Sequence, residues 1–88
     1  MAKILIAEDE RPISELVKRN LMLVGHTAAQ AFDGPCALEM AGAERFDLVL
    51  LDVMLPGCSG FEVKEQLDTA LPVIFVTAKN NLSSRLQW

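Results

Sequence analysis

Acidic and hydroxyl side chains follow three of the apolar runs in this 88-residue chain. Glu8 and Asp9 come directly after the first run, Asp52 closes the third, and Thr77 closes the fourth. A carboxylate inside an apolar strand such as residues 48–52 is costly unless it is paired, hydrogen-bonded or bound to a metal ion. Asp52 therefore requires a partner that the strand itself does not supply.

Carboxylates at the ends of neighbouring parallel strands meet at one edge of the sheet, which is where open α/β sheets bind their ligands. Three carboxylates crowded together raise one another's pKa values unless a hard divalent cation neutralises them. An all-oxygen ligand set suits magnesium. Glu8, Asp9 and Asp52 therefore predict a magnesium site, and such carboxylate sites are typical of phosphoryl chemistry.

The elements that must hold these residues are predicted by short apolar runs that alternate with stretches of helical period. This alternation is typical of βαβ units around a parallel sheet, so we predict an α/β fold. Four strands are predicted, at Lys3–Ala7, Thr27–Ala31, residues 46–53 and residues 72–77. Three helices are predicted, from Pro12 to Gly25, from Cys36 to about Gly42 and from Phe61 to Leu67, with one or two further turns within residues 80–88.

Composition indicates one small domain over residues 1–88. The chain is 51% hydrophobic, and its formal net charge of −4 argues against direct binding of nucleic acid. The two cysteines, Cys36 and Cys58, show neither zinc-ligand spacing nor a disulfide framework. The N-terminal residues do not resemble a signal peptide, and no apolar run is long enough to cross a membrane. We therefore expect a cytoplasmic protein.

Three segments resemble the receiver domain of two-component response regulators. They are Ile-Ala-Glu-Asp-Glu at 6–10, Leu-Leu-Asp-Val-Met-Leu-Pro-Gly at 50–57 and Val-Thr-Ala-Lys at 76–79, with Gly60 following the Pro-Gly turn. Each segment alone is a weak signal, but their order along the chain is specific. The resemblance implies a doubly wound parallel sheet, the flavodoxin-like receiver fold with strand order 2-1-3-4-5. It also implies a phosphoacceptor domain in signalling rather than an enzyme.

The resemblance implies a role for each site residue. Asp52 would accept a phosphoryl group from a histidine kinase or a phosphotransfer protein. Thr77 would hydrogen-bond a phosphoryl oxygen, and the small Ala78 would allow its close approach. Mg²⁺ would be bound by four groups, the carboxylates of Glu8, Asp9 and Asp52 and the backbone carbonyl of Met54.

The chain departs from the family's pattern where a receiver has its fifth strand and fifth helix. We expect a truncated receiver of four βα units, without the family's phosphoryl-contacting lysine or its aromatic switch residue. Lys79 does not replace that lysine, because it belongs to the loop after the fourth strand. An open fourth strand and a partly bare sheet face would favour self-association, so we expect a homodimer.

Other functions stay open from the sequence. One alternative is a phosphorylation-independent dimerisation or interaction module derived from a receiver domain. A phosphohydrolase with an aspartate nucleophile would need a second acidic residue two positions later, where this chain has Met54. Taken alone, the acidic run from Glu8 to Glu10 could be a charged loop that favours a helix N-terminus.

Overall fold

The computed structural model describes residues 1–76 of the chain. Strands and helices alternate along them as β1 (Lys3–Ala7), α1 (Arg11–Leu23), β2 (Thr27–Ala31), α2 (Gly34–Ala43), β3 (Leu48–Asp52), α3 (Gly60–Gln66) and β4 (Val73–Val76). The predicted α/β fold is confirmed. The predictions for Thr77, Ala78 and the helical turns within residues 80–88 lie outside the described residues.

The four strands form one parallel sheet in the order β2-β1-β3-β4. The chain runs from β1 to β2 on one side and then crosses back to place β3 on the other side of β1. Ile6 pairs with Leu50, and Ala7 pairs with Leu51. The C-terminal ends of β1 and β3 therefore lie side by side at the point where the strand order reverses, which is the place where open α/β sheets bind ligands.

The hydrophobic core lies between the sheet and helices α2 and α3. Its members come from alternate positions of the strands, from both helices and from three loops, and they are Leu5, Ala7, Ala31, Ala37, Phe46, Val49, Leu51, Leu55, Val63 and Leu67. The other face packs against α1, where Ile13 and Val17 border a cavity of about 80 Å³. On β4, which ends the sheet among the described residues, Ile74 is 51% exposed.

The two helices over the core begin at side-chain caps. The side chain of Asp33 accepts a hydrogen bond from the Cys36 N–H at the start of α2. At the start of α3, Ser59 accepts from the Glu62 N–H, and Glu62 in turn accepts from the Ser59 N–H. This reciprocal capping box satisfies two backbone donors at once. It explains why α3 begins one residue earlier than the sequence predicted.

The third strand is shorter than the predicted residues 46–53. Asp47 lies outside it, because its carboxylate accepts a hydrogen bond from the Lys3 N–H at 2.8 Å while its own N–H donates to the Lys3 carbonyl. Phe46 is buried in the core from its position before the strand. The fourth strand begins after Pro72, which has no N–H to donate to a strand ladder. Both strands otherwise lie where the apolar runs predicted them.

The helical period of apolar residues in α1 predicts a buried stripe of Ile13, Leu16, Val17, Leu21 and Val24, and the structure departs from it. Leu16 is 58% exposed, whereas Ser14 is fully buried against the sheet. The Gln30 side chain on β2 donates a hydrogen bond to the Ser14 hydroxyl at 2.9 Å, which makes burial of this polar group tolerable. This polar contact orients the helix so that Leu16 faces outward.

Candidate functional site

The acidic residues lie at the ends of the two central strands. Asp52 is the last residue of β3 and is 0% exposed, and Glu8 follows β1 directly and is 2% exposed. Asp9 is the next residue and is half-buried. One carboxylate oxygen from each of the three lies within 4.8 Å of the others. The structure therefore brings together the three carboxylates that the sequence singled out.

Backbone N–H groups fix one oxygen of each buried carboxylate. Glu8 Oε2 accepts a hydrogen bond from the Glu10 N–H at 2.9 Å, and Asp52 Oδ1 accepts from the Met54 N–H at 2.9 Å. Glu8 Oε1 is also buried, and no N–H or O–H group of residues 1–76 donates to it. A buried oxygen of this kind requires either a proton or a cation.

The pKa of Glu8 is raised from its usual 4.5 to about 7, chiefly because the carboxyl is buried. The adjacent Asp52 and Asp9 carboxyls contribute to this rise, and the hydrogen bond from the Glu10 N–H opposes it. In the absence of a cation, a proton on Glu8 removes part of the repulsion within the cluster. The cluster therefore binds positive charge in either form, as a proton or as a metal ion.

We expect the metal-free protein to become less stable as the pH rises from about 5 to about 8. The pKa of Glu8 is raised in the folded state, so the folded protein holds more protons than the unfolded chain in this window. The stability that this proton contributes is complete below the pKa of Glu8 in the unfolded chain. It is lost as the pH rises through the pKa of Glu8 in the folded protein. The expected loss is on the order of 2 kcal/mol, measured by urea unfolding in the presence of a chelator.

Glu8→Gln should remove this pH dependence, because glutamine does not titrate. Glu39→Gln is the matched control, since Glu39 is an exposed carboxylate on α2. The control should keep the pH dependence of the wild type. A metal-free wild type whose stability rises over this pH range would contradict the raised pKa of Glu8.

The loop after β3 is held tightly against the end of that strand. The Gly60 N–H donates to the Val53 carbonyl at 2.8 Å, and a Cβ at position 60 would lie 2.4 Å from the Asp52 carbonyl oxygen. Only glycine permits this approach. The sequence identified Gly60 as part of a motif, and the structure shows that its N–H binds the backbone of Val53, the residue after Asp52.

Asp9, one of the three acidic residues, borders a depression beside this loop. The depression has a volume of about 420 Å³ and is lined by Asp9, Val53, Met54, Leu55, Pro56 and Ser59. The side chain of Met54 is 55% exposed there. Its predicted role, a backbone carbonyl that binds Mg²⁺, stays a prediction. A small charged group could reach Asp9 from solvent through this depression.

The donor atoms of the cluster fit a hard divalent cation. They are carboxylate oxygens from three residues, and two of these residues are buried. Oxygen-only ligand sets with more than one carboxylate favour Mg²⁺ or Ca²⁺ over softer metals. The buried oxygen of Glu8 is a further reason for a cation at this position.

Residues 4–88 match the family described as the response regulator receiver domain. The chain belongs to this family. It is 39% identical over 87 residues to the response regulator MprA of Mycobacterium ulcerans, an alignment that covers 96% of this chain and 38% of MprA. The receiver domain thus spans well under half the length of the curated relatives that it matches.

Solved structures of receiver domains share the fold. The response regulator TrrA of Thermotoga maritima, solved in complex with Mg²⁺-BeF, aligns with a TM-score of 0.75 and 27% identity over 99% of this chain and 97% of that chain. A structure of TrrA in complex with the histidine kinase ThkA aligns with a TM-score of 0.82 and 34% identity over 97% of this chain and 79% of that chain. The predicted family and the flavodoxin-like receiver fold are therefore confirmed.

Family membership places the chain in two-component signalling. Receiver domains are signalling domains rather than classical enzymes, and Mg²⁺ binding is typical of them. Within residues 1–76, none of the helices has the length and apolar character needed to cross a membrane.

Proposed function

We propose that this receiver domain accepts a phosphoryl group on Asp52 from a histidine kinase or a phosphotransfer protein. The observation that carries the proposal is the cluster of three carboxylates at the point where the strand order reverses. A carboxylate buried at position 52 beside Glu8 does not stabilise the hydrophobic core. It does position a nucleophilic group next to a candidate cation site. The solved complexes of TrrA with Mg²⁺-BeF and with a histidine kinase support this proposal.

The chemistry is a transfer between two nucleophiles. A carboxylate oxygen of Asp52 forms a bond to phosphorus while the bond between phosphorus and the donor's imidazole nitrogen breaks, which gives an acyl phosphate. The Met54 N–H holds Asp52 Oδ1 and thereby orients the carboxylate for attack. Glu8, Asp9, Asp52 and the Met54 carbonyl would hold Mg²⁺. Magnesium, when bound, offsets the negative charge on the phosphoryl oxygens.

Several finer assignments belong to this proposal. Thr77 would bind a phosphoryl oxygen, and Ala78 would leave room for it. Residues 1–88 would form one receiver unit in the cytoplasm that does not itself contact nucleic acid.

The proposal is tested by transfer from a histidine kinase that carries phosphate on its histidine. Intact-mass spectrometry should show one added phosphoryl group on this chain, and a chelator of divalent cations should suppress the transfer. A folded chain that stays unmodified with active kinases of several subfamilies would contradict the proposal.

A phosphorylation-independent dimerisation module is the second candidate. It is favoured by β4, which ends the sheet of the described residues and exposes half of Ile74. A strand edge with apolar side chains offers unpaired backbone groups and apolar area to a second copy of the chain. This module would act without a phosphoryl group on Asp52.

Ile74→Lys is expected to weaken self-association about tenfold or more, because each subunit then loses the burial of one large apolar side chain. Sedimentation at increasing protein concentration measures the effect. Leu23→Lys is the control, since Leu23 is exposed on α1, away from β4. A wild type that stays monomeric at tens of micromolar would remove this candidate.

A further inference from the structure

The first residue of helix α1 carries a positive charge that the helix dipole disfavours at this position. Arg11 is the first residue of the helix, where the helix dipole favours negative rather than positive charge. The residue before it, Glu10, provides no side-chain cap, and the first turn contains no acidic residue. Pro12 favours the start of the helix, but it does not offset the charge of Arg11, which a contact with another element can accommodate.

Phe32 supplies one such contact. The Arg11 guanidinium lies over the Phe32 ring, with its central carbon 4.1 Å from the ring centroid. Phe32 directly follows β2, and the carbonyl of the preceding residue, Ala31, accepts a hydrogen bond from the Glu8 N–H at 3.0 Å. The segment from Glu8 to Arg11 is therefore attached to the end of β2 at both of its ends.

Asp9 lies within this segment. Glu8 and Asp52 are each fixed by burial and by a backbone N–H that donates to the carboxylate. Asp9 is half-buried in the loop between β1 and α1, and its carboxyl interacts with Glu8. The backbone that carries Asp9 is therefore the same segment that the contacts of Glu8 and Arg11 attach to the end of β2.

We propose that Arg11 and Phe32 are positioning residues for the cation site. Their stacking fixes the loop that carries Asp9, so the third carboxylate is already in place when Mg²⁺ binds. This inference rests on the proposed function, because it assigns a role toward the same site. It differs from a charge effect of Arg11, which would repel the cation.

Two substitutions separate positioning from charge. Phe32→Leu removes the aromatic face and leaves the charge of Arg11 in place, whereas Arg11→Gln removes both the charge and the stacking. Coulomb repulsion alone predicts unchanged Mg²⁺ affinity for Phe32→Leu and tighter binding for Arg11→Gln. Positioning predicts weaker binding for both, by about threefold or more. Phe32→Tyr keeps the aromatic face and should bind like the wild type.

The experiment titrates Mg²⁺ alone and follows the amide shifts of Asp9 and Asp52. Hydrogen exchange of the Glu10 and Arg11 amides in the metal-free proteins provides a second readout that does not depend on the metal. Phe32→Leu should exchange these amides several-fold faster while its melting temperature stays close to that of Phe32→Tyr. Wild-type affinity in Phe32→Leu, or tighter binding in Arg11→Gln, would overturn the positioning role.

The same experiment distinguishes failure of the proposed function from failure of the positioning role. If the wild type binds no Mg²⁺, the proposed function fails, and the exchange rates still decide whether the stacking orders the loop. Unchanged exchange in Phe32→Leu would overturn the inference in that case as well.

Discussion

Asp52→Asn is expected to abolish phosphoryl acceptance and, at the same time, to stabilise the metal-free protein. The carboxamide is not a competent nucleophile, so no acyl phosphate can form at position 52. The substitution also removes a negative charge that is fully buried within 4.8 Å of Glu8 and Asp9. Its Oδ1 can still accept from the Met54 N–H, and its new N–H groups can donate to a neighbouring carboxylate. The expected gain is about 1–2 kcal/mol in the free energy of unfolding.

The two opposite effects make this substitution informative. A variant that fails to fold would lose both phosphorylation and stability, whereas Asp52→Asn should lose only phosphorylation. Asp47→Asn is the matched control, because Asp47 is exposed and precedes β3 rather than following it. It should accept the phosphoryl group as the wild type does. Phosphate found on the Asp52→Asn chain, or a clear loss of its stability, would contradict the assignment.

Gly60→Ala is expected to destabilise the protein by about 3 kcal/mol or more. The added Cβ would lie 2.4 Å from the Asp52 carbonyl oxygen and 2.9 Å from the Val53 Cα. Both atoms belong to the backbone, so relief requires movement of the strand end or of α3. That movement would also displace Asp52, so Mg²⁺ affinity should fall together with stability. Urea unfolding and a Mg²⁺ titration measure the two effects.

Gly42→Ala provides the matched comparison. Gly42 lies in α2, and a Cβ built there meets no atom within 4 Å. Alanine is favoured over glycine in a helix by up to about 1 kcal/mol, so this variant should be more stable than the wild type. If Gly60→Ala is as stable as Gly42→Ala, the β3–α3 loop accommodates the added methyl group without loss of stability, and the prediction is wrong.

The sequence contained enough local information to predict the strands and the acidic cluster. The run of residues 48–52 is apolar up to Asp52, and that single carboxylate predicted both the end of a strand and a ligand site. The strand order came from the family resemblance, and the observed order β2-β1-β3-β4 agrees with it. Once that order is fixed, Glu8 and Asp52 must be neighbours, because their strands pair directly.

Most of the features that the sequence did not predict depend on contacts between distant residues. Leu16 faces solvent because Ser14 is hydrogen-bonded to Gln30 on another element, and the period of apolar residues does not encode that bond. The stacking of Arg11 on Phe32 likewise joins the start of α1 to the residue after β2. The capping box was the exception, since Ser59 and Glu62 stand at the required spacing.

The most direct test of the account is a titration of Mg²⁺ and then beryllofluoride, a phosphoryl mimic, into the wild type and Asp52→Asn. Amide shifts of residues around Asp9 and Asp52 report binding. The account predicts saturable shifts with Mg²⁺ in the wild type, and a second set with beryllofluoride that is absent in Asp52→Asn. A folded wild type that responds to neither, or a beryllofluoride response that survives in Asp52→Asn, would contradict the assignment of Asp52 as the phosphoacceptor.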